Sequence, residues 1–469
     1  MESSALESSK SDGTPLQIPA IATSPASLTV PTEEDIDRDV QVSPYRFVIL
    51  LLFSLYSLSN GFQWIELSII RDVVKSHYSV SDQSVNWTAL IYCASYIPLI
   101  LPASWIMEKK GLRCSVVLGA AGTMLGSWIK VFATPRDLFW LLMIGQTIVA
   151  CSQIFILSVP PRLATVWFGS QEVSRACAAG VFGNQLGIAL GFQVPTLLVP
   201  MSEDHNLVAK NLQILFGVVA GVTSVVFIAI LLAFREKPSR PPNKGQLMEL
   251  PSDYRNTMRQ LATNSSYLLL LISYGINTGT FYAVSTLLSQ VSSKYYPDEG
   301  SRIGFLGFML VVAGMLGSVV CGIMLDKTKK FKEITLIVYT MSMICMFAYT
   351  FVLPLGHVWP LFYIALALGF FMTGYLPLGF EFASELTYPE HENTSAGLLN
   401  AAAQLFGVLF TSAATELLGR FGDCSANLAL SGAMVIGTIM TAFCKSDLRR
   451  QRAFAGESQT LPSVSLART

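Results

Sequence analysis

The chain predicts an all-α polytopic membrane protein, with twelve transmembrane helices in two six-helix halves. Three observations carry this. Of 469 residues, 52% are hydrophobic and only 13% charged, about half the charged share usual in a soluble domain. Beyond a polar N-terminal stretch, apolar runs long enough to cross a bilayer follow one another. One long polar connector, REKPSRPPNKGQLMELPSDYRNTMRQLATN, divides them six and six.

The elements follow from those runs in order. Residues 1–44 are rich in Ser, Pro, Thr and acids and lack the apolar core of a signal peptide, so they read as a disordered cytoplasmic tail. The first half, 45–234, holds spans at 46–72, 84–107, 114–134, 137–159, 176–200 and 211–234. Pro160 and Pro161 allow the fourth a kinked extension. After the connector (235–264), the second half (265–445) holds spans at 265–292, 302–325, 333–354, 358–384, 395–418 and 427–445, and 446–469 form a second cytoplasmic tail.

Basic residues in short loops set the orientation. Lys109, Lys110, Arg113, Arg162, Arg175, the connector and the Lys327–Lys332 loop fall on one side; Arg71, Lys75, Arg136, Lys210, Lys294, Arg302 and Arg420 on the other. The first side is richer, which places both termini in the cytoplasm. Acidic and basic residues balance at 31 each, so no bulk charge points to nucleic acid. The eight cysteines are scattered without ligand spacing, which argues against a disulfide framework or a zinc site. Asn86-Trp87-Thr88 is a sequon on the outer side, but its closeness to the second span argues against glycosylation.

The halves echo each other. ASWIMEKKGLR follows the second span and CGIMLDKTKKFK the eighth. Both resemble the loop signature of the major facilitator superfamily, with Ala103 where that signature has glycine. Glu108, Lys109 and Arg113 in one copy, and Asp326 and Lys327 in the other, are candidate parts of a charge latch that forms and breaks as the halves rock. Folds of this kind hold substrate near the midplane, between the halves.

Polar stripes mark the faces that would line such a cavity, because a polar side chain at mid-membrane faces protein or water rather than lipid. At about 100° per residue, Tyr274, Thr278, Tyr282, Ser285 and Ser289 share one face of the seventh helix, with Phe281 beside it, and Asn400, Gln404, Thr411 and Thr415 share one face of the eleventh. In the fifth, Gly180, Gly183, Gly187 and Gly191 form a smooth stripe suited to close helix contact. Gln185 lies about 160° from that stripe, beside Asn184. In the first helix, within NGFQWIE, Asn60 and Trp64 lie about 40° apart, Gln63 about 100° from Trp64, and Glu66 about 160° from it. Trp64 and Asn60 are expected at the cavity and Gln63 at its edge. Glu66 is expected at the outer mouth or paired with a neighbouring helix. Taken singly, a buried amide reads equally as interhelical glue, and a membrane Trp as an anchor. Glu381 and Glu385 are placed as structural pairs or gate residues at the cytoplasmic end of the tenth helix.

SLYSLSNGFQWIELSII, SYIPLILPASWIMEKKGLR, SVPPRLATVWFGSQEVSRACAAGVFGNQLGIALGF, GTFYAVSTLL and LGFEFASELTYPE closely resemble the feline leukaemia virus subgroup C receptor family, a branch of the major facilitator superfamily. The resemblance spans about 45–445. It implies transport of choline and ethanolamine down their gradients, or of haem, by a monomer in the plasma membrane without a cofactor. It further implies an ammonium cage of Trp64, Tyr282, Gln185 and Gln404. Glu66 departs from the family pattern, where a neutral amide is expected.

The chemistry of the residues favours the amine. A quaternary ammonium has no N–H donor and suits aromatic faces, while two amides would orient its hydroxyl. Haem would call for an axial ligand and basic partners for its propionates. The four histidines (77, 205, 357, 391) fall in loops or at helix ends, and the cavity faces carry no clear Lys or Arg. No nucleophile–base pair, phosphate loop or metal cluster supports an enzyme, and matched polar stripes in both halves favour a transporter over a receptor without transport.

Overall fold

A break at Ile70 (φ −99°, ψ 33°) ends the first apolar helix, α1 (Arg46–Ile69), three residues before the expected boundary. A short amphipathic helix, α2 (Arg71–Tyr78), follows and closes at Ser79 with φ 54°. In this computed structural model the described residues are 43–169, 172–238, 254–296, 299–388, 392–445 and 447–449. Most of both expected tails and the middle of the connector lie outside them.

The remaining helices are α3 (Asp82–Phe132), α4 (Phe139–Trp167), α5 (Val173–Leu198), α6 (His205–Ala233), α7 (Tyr254–Thr263), α8 (Ser265–Ser292), α9 (Gly300–Thr328), α10 (Phe331–Val352), α11 (Val358–Thr387), α12 (Glu392–Phe421) and α13 (Asp423–Phe443). No strand occurs among the described residues. Among the described residues, eleven helices have the length and apolar composition to cross a membrane. One of them, α3, has 51 residues, about 77 Å of helix against a hydrocarbon core of about 30 Å. It therefore holds two spans, 82–110 and 112–132, broken at Gly111, whose φ of 87° favours glycine. With that division the described residues hold twelve spans of membrane-crossing type, six on each side of the connector.

Several boundaries moved for local reasons. Helix α4 continues through Pro160 and Pro161 to Trp167, realising the expected extension. Asp204 caps α6 by accepting from the Asn206 amide at 2.9 Å, which starts that helix six residues early. Helix α7 forms inside the stretch read as polar connector. Asn264 then caps α8, accepting from the Tyr267 amide and donating to the Leu386 carbonyl.

Lipid tails are as apolar as leucine, so helices here associate through close packing. The α5 glycines supply it. A Cβ on Gly183, Gly187 or Gly191 would stand 2.7, 2.1 or 2.6 Å from the carbonyl oxygens of Ser54, Leu58 and Phe62, so α5 rests directly on the α1 backbone. In the second half Gly275 and Gly279 give α8 the same intimacy with Phe406 of α12. The halves meet where α1 touches α8, α5 touches α9, and α3 touches α12.

Candidate functional site

Trp64 and Tyr282 meet where α1 crosses α8. Their ring centroids are 5.4 Å apart and the planes 72° from parallel, an edge-on contact between the halves. Trp64 is buried and Tyr282 half-buried. Phe281 is buried beside Tyr282, with ring centroids 6.2 Å apart. From α12, Gly407 lies against the Tyr282 ring, where a Cβ would come within 2.9 Å. One turn earlier, Gln404 is buried beside Tyr282, its amide interacting with the Tyr282 side chain but not closing a hydrogen bond of ordinary geometry. Gln185 is half-buried on the side of α5 away from the glycine contact, with its Oε1 sealed and unpartnered. Thr278 and Ser285 are buried along α8, and Asn400 is half-buried on α12.

Two expected lining residues face elsewhere, and a third, Tyr274, lies near Tyr282 but is largely taken up by packing. Asn60 donates to Thr123 Oγ1 (3.2 Å) and the Val149 carbonyl (3.1 Å), inside the first half. Its 40° offset from Trp64 is enough to reach α3 and α4. Asn184 donates to the Ser57 carbonyl and lies over Gly61, tying α5 to α1. Tyr274 packs on Tyr375 and Phe380 of α11 and fills the space over Gly379, so the stripe on α8 divides between packing and lining. Gln63, expected at the cavity edge, is also buried within the first half.

Two further residues escaped the sequence reading. Tyr96 of α3 stands near Tyr282, in a small cluster with Ala103 and Ile154 that Ala401 of α12 packs against. Its signal is the Tyr92-Cys93-Tyr96 spacing, one helical face apart from the lipid. Lys130 of α3 is the partner of Glu66: Nζ lies 2.5 Å from Oε1, with 1% and 0% of the two side chains exposed. Of the two placements expected for Glu66, the interhelical pair is the one observed, and the outer mouth is not. A lone lysine in the apolar run LGSWIKVFA was the available signal, since such a residue needs a buried partner.

At the lysine- and arginine-rich end, the grip on the 103–113 loop differs from the expected latch. The Glu236 carboxylate accepts from the Leu112 and Arg113 amides, both at 2.7 Å, and the Arg113 guanidinium donates to the Leu231 carbonyl. Glu108 and Lys109 are exposed. This clasp ties the start of the connector to the first half and does not reach the second, because Gly111 turns two bare amides toward Glu236. Lys327 is exposed at the end of α9, and the Asp326 side chain lies outside the described residues. On α11, Glu385 is buried and Glu381 exposed.

At the opposite end the halves are sealed together. Asn86, 1% exposed, donates to Gln290 Oε1 and Thr415 Oγ1, both at 3.1 Å. Its amide is thus engaged rather than available to a glycan. Nearby, Phe192 and Thr196 of α5 fill the space over Gly304 and Gly307 of α9. Removing the amide should loosen this seal. In detergent-solubilised protein, Asn86→Ala is expected to speed methanethiosulfonate labelling of a cysteine at Ser289, about 30-fold if each of the two lost bonds is worth about 1 kcal/mol. An unchanged labelling rate would show that apolar packing alone holds the end shut.

The profile of the Major Facilitator Superfamily matches residues 49–412. The chain is 50% identical over 413 residues to choline/ethanolamine transporter flvcr2a of Danio rerio, covering 87% of this chain and 88% of that protein. It is 45% identical over 419 residues to choline/ethanolamine transporter FLVCR2 of Homo sapiens, covering 88% and 80%. To choline/ethanolamine transporter FLVCR1 of Felis catus it is 46% identical over 442 residues, covering 93% and 79%. Among solved structures, it resembles an inward-facing, unoccupied bacterial homologue of the human lysosomal transporter Spinster, with a TM-score of 0.65 and 14% identity over 89% of this chain and 99% of that one. It also resembles a D-xylose–proton symporter, with a TM-score of 0.66 and 12% identity over 86% and 99%. These two likenesses are of fold.

Proposed function

The chain belongs to the major facilitator superfamily, in the branch of the FLVCR transporters, and on that premise we propose that it carries choline and ethanolamine across a membrane as a facilitative uniporter. The observation that supports this best is the Trp64–Tyr282 contact, one ring from each half, 5.4 Å apart. Once the rings part, a trimethylammonium seated against both would gain cation–π attraction from each, about 2 kcal/mol apiece when desolvated. Gln185, with its Oε1 unpartnered, and Gln404, whose amide lies beside Tyr282 without a hydrogen bond of ordinary geometry, are suited to the alcohol. Because each half supplies one ring, rocking the halves would take the cage apart and release the amine on the other side.

Glu66, the carboxylate closest in sequence to Trp64, is held by Lys130 on another face of α1. It is therefore not a coupling-ion site for this cage, which favours uniport driven by the amine gradient and membrane potential. The positive-inside reading places both termini in the cytoplasm, and the plasma membrane is the proposed home of the monomer.

Cells expressing the chain are expected to gain saturable, sodium-independent choline uptake that ethanolamine competes. Haem content measured in the same line supplies the contrast. No saturable gain over vector, with the protein present at the membrane, would sink the reading. Falling cell haem that excess choline does not alter would replace it with haem export.

A further inference from the structure

The polar residues of the α1 turn around Trp64 form a ladder with the second span of α3. Asn60 donates to Thr123 Oγ1 at 3.2 Å; Ser127 Oγ donates to Gln63 Oε1 at 3.0 Å; Lys130 Nζ donates to Glu66 Oε1 at 2.5 Å. The rungs use positions 60, 63 and 66 on one helix and 123, 127 and 130 on the other, helical spacing on both. The two helices cross the membrane in the same direction, so the rungs rise together.

Gln146 of α4 braces the top. It accepts from Lys130 Nζ at 3.1 Å and donates to the carbonyls of Gln63 (2.9 Å) and Thr88 (3.1 Å). Across α1, about 140° round the axis from the mean rung direction, the α5 glycines press on Ser54, Leu58 and Phe62. Helix α1 is thus clamped from two nearly opposite sides. Trp64 lies about 100° from the rungs and about 120° from the glycine contact, on the face left to the second half.

We infer that the ladder, and above all its Glu66–Lys130 rung, is the positioning device that sets the rotation and height of Trp64 against Tyr282. An ion pair sealed from water is a poor source of stability, because desolvation offsets its attraction. Its best-attested use is to specify one register over others. A register shift of one residue would turn Trp64 by about 100°, out of the inter-half contact. Glu66 and Lys130 touch no substrate in this scheme. They act through the helix that carries the ring, so the inference rests on the cage reading only for its transport readout.

The test compares three changes. Lys130→Met strands a buried carboxylate and is expected to lower both folded protein and apparent affinity. Glu66→Met/Lys130→Met removes both charges, and such replacements are commonly neutral or stabilising. It should regain surface expression and thermal stability while keeping a choline KM raised about fivefold or more. The reversed pair, Glu66→Lys/Lys130→Glu, should recover KM as well.

A second readout needs no transport. In a Cys93→Ala background, Trp64→Cys and Tyr282→Cys should be joined readily by a short bifunctional thiol reagent, and severalfold more slowly once the apolar pair is added. A double variant with parental KM and parental cross-linking overturns the inference and leaves the pair a packing element. If the parental chain takes up no choline, the transport reading fails by itself, and the cross-linking rates still decide the ladder.

Discussion

Trp64→Ala is expected to abolish saturable choline uptake at normal surface expression, with Tyr282→Ala close behind. Each ring removed from a desolvated ammonium site costs about 2 kcal/mol, or about 30-fold in affinity. The two losses are not independent. The rings meet edge-on at 5.4 Å, and residues in contact couple, so losing one frees the other from its position. Trp64 has the larger effect because its indole is the better cation–π face and because it is buried between the halves while Tyr282 is half-open. Trp64→Phe retains a quadrupole and should recover part of the uptake. The measurement is initial-rate uptake against choline concentration, normalised to protein at the surface. A parental KM in Trp64→Ala would remove the ring from the site altogether.

The parts of this fold legible in the sequence are those the bilayer dictates. Every backbone group must be satisfied inside lipid, so each crossing declares itself as an apolar run. A glycine stripe likewise declares a helix that will touch another backbone, and the stripe on α5 does rest on α1. Amphipathic α2 and α7 were not legible, because short polar helices carry no such run. The polar face of α1 was read in part. Periodicity gives a direction but not the neighbour that stands there. Asn60 and Trp64 differ by about 40°, yet α3 takes one and α8 the other. The Glu66–Lys130 pair shows the same limit from the other side: the acid was conspicuous, but its partner lies 64 residues away, and local spacing is silent about that. Gly111 and Glu236 show it again, since the acid that clasps the loop comes from beyond α6 rather than from the loop's own Glu108.

These features fit one mechanical scheme. The ladder and the glycine contact make α1 a rigid part of the first half, while α8 belongs to the second through Gly275, Gly279 and Phe406. A ring fixed in each body reports and depends on the angle between the bodies. Rigid halves are what allow a small rocking motion to open a cage completely instead of deforming it.

The glycine contact should therefore be as sensitive as the cage. Gly187→Leu is expected to lower the thermal midpoint sharply and to leave little protein at the surface. A Cβ there would stand 2.1 Å from the Leu58 carbonyl oxygen and 2.8 Å from its carbon. Both are backbone atoms, which have no rotamer to escape into. Restoring ordinary contact near 3.5 Å needs α1 and α5 to part by about 1.4 Å, and a leucine side chain needs more. The close packing of the whole stripe is then lost, since Gly183 and Gly191 hold the same face. Overpacking of this kind costs about 3 kcal/mol or more. The displaced α1 is also driven onto the ladder, so surviving protein should show a raised choline KM. Gly187→Ala should fall between. The control is Gly217→Leu on α6, where an added Cβ meets nothing within 4 Å and the new side chain extends into open space. Thermal midpoints by fluorescence-detected gel filtration separate the cases. Equal midpoints for the two leucine variants would mean that α1 is not held by α5, and the two-sided clamp on Trp64 would lose one of its sides.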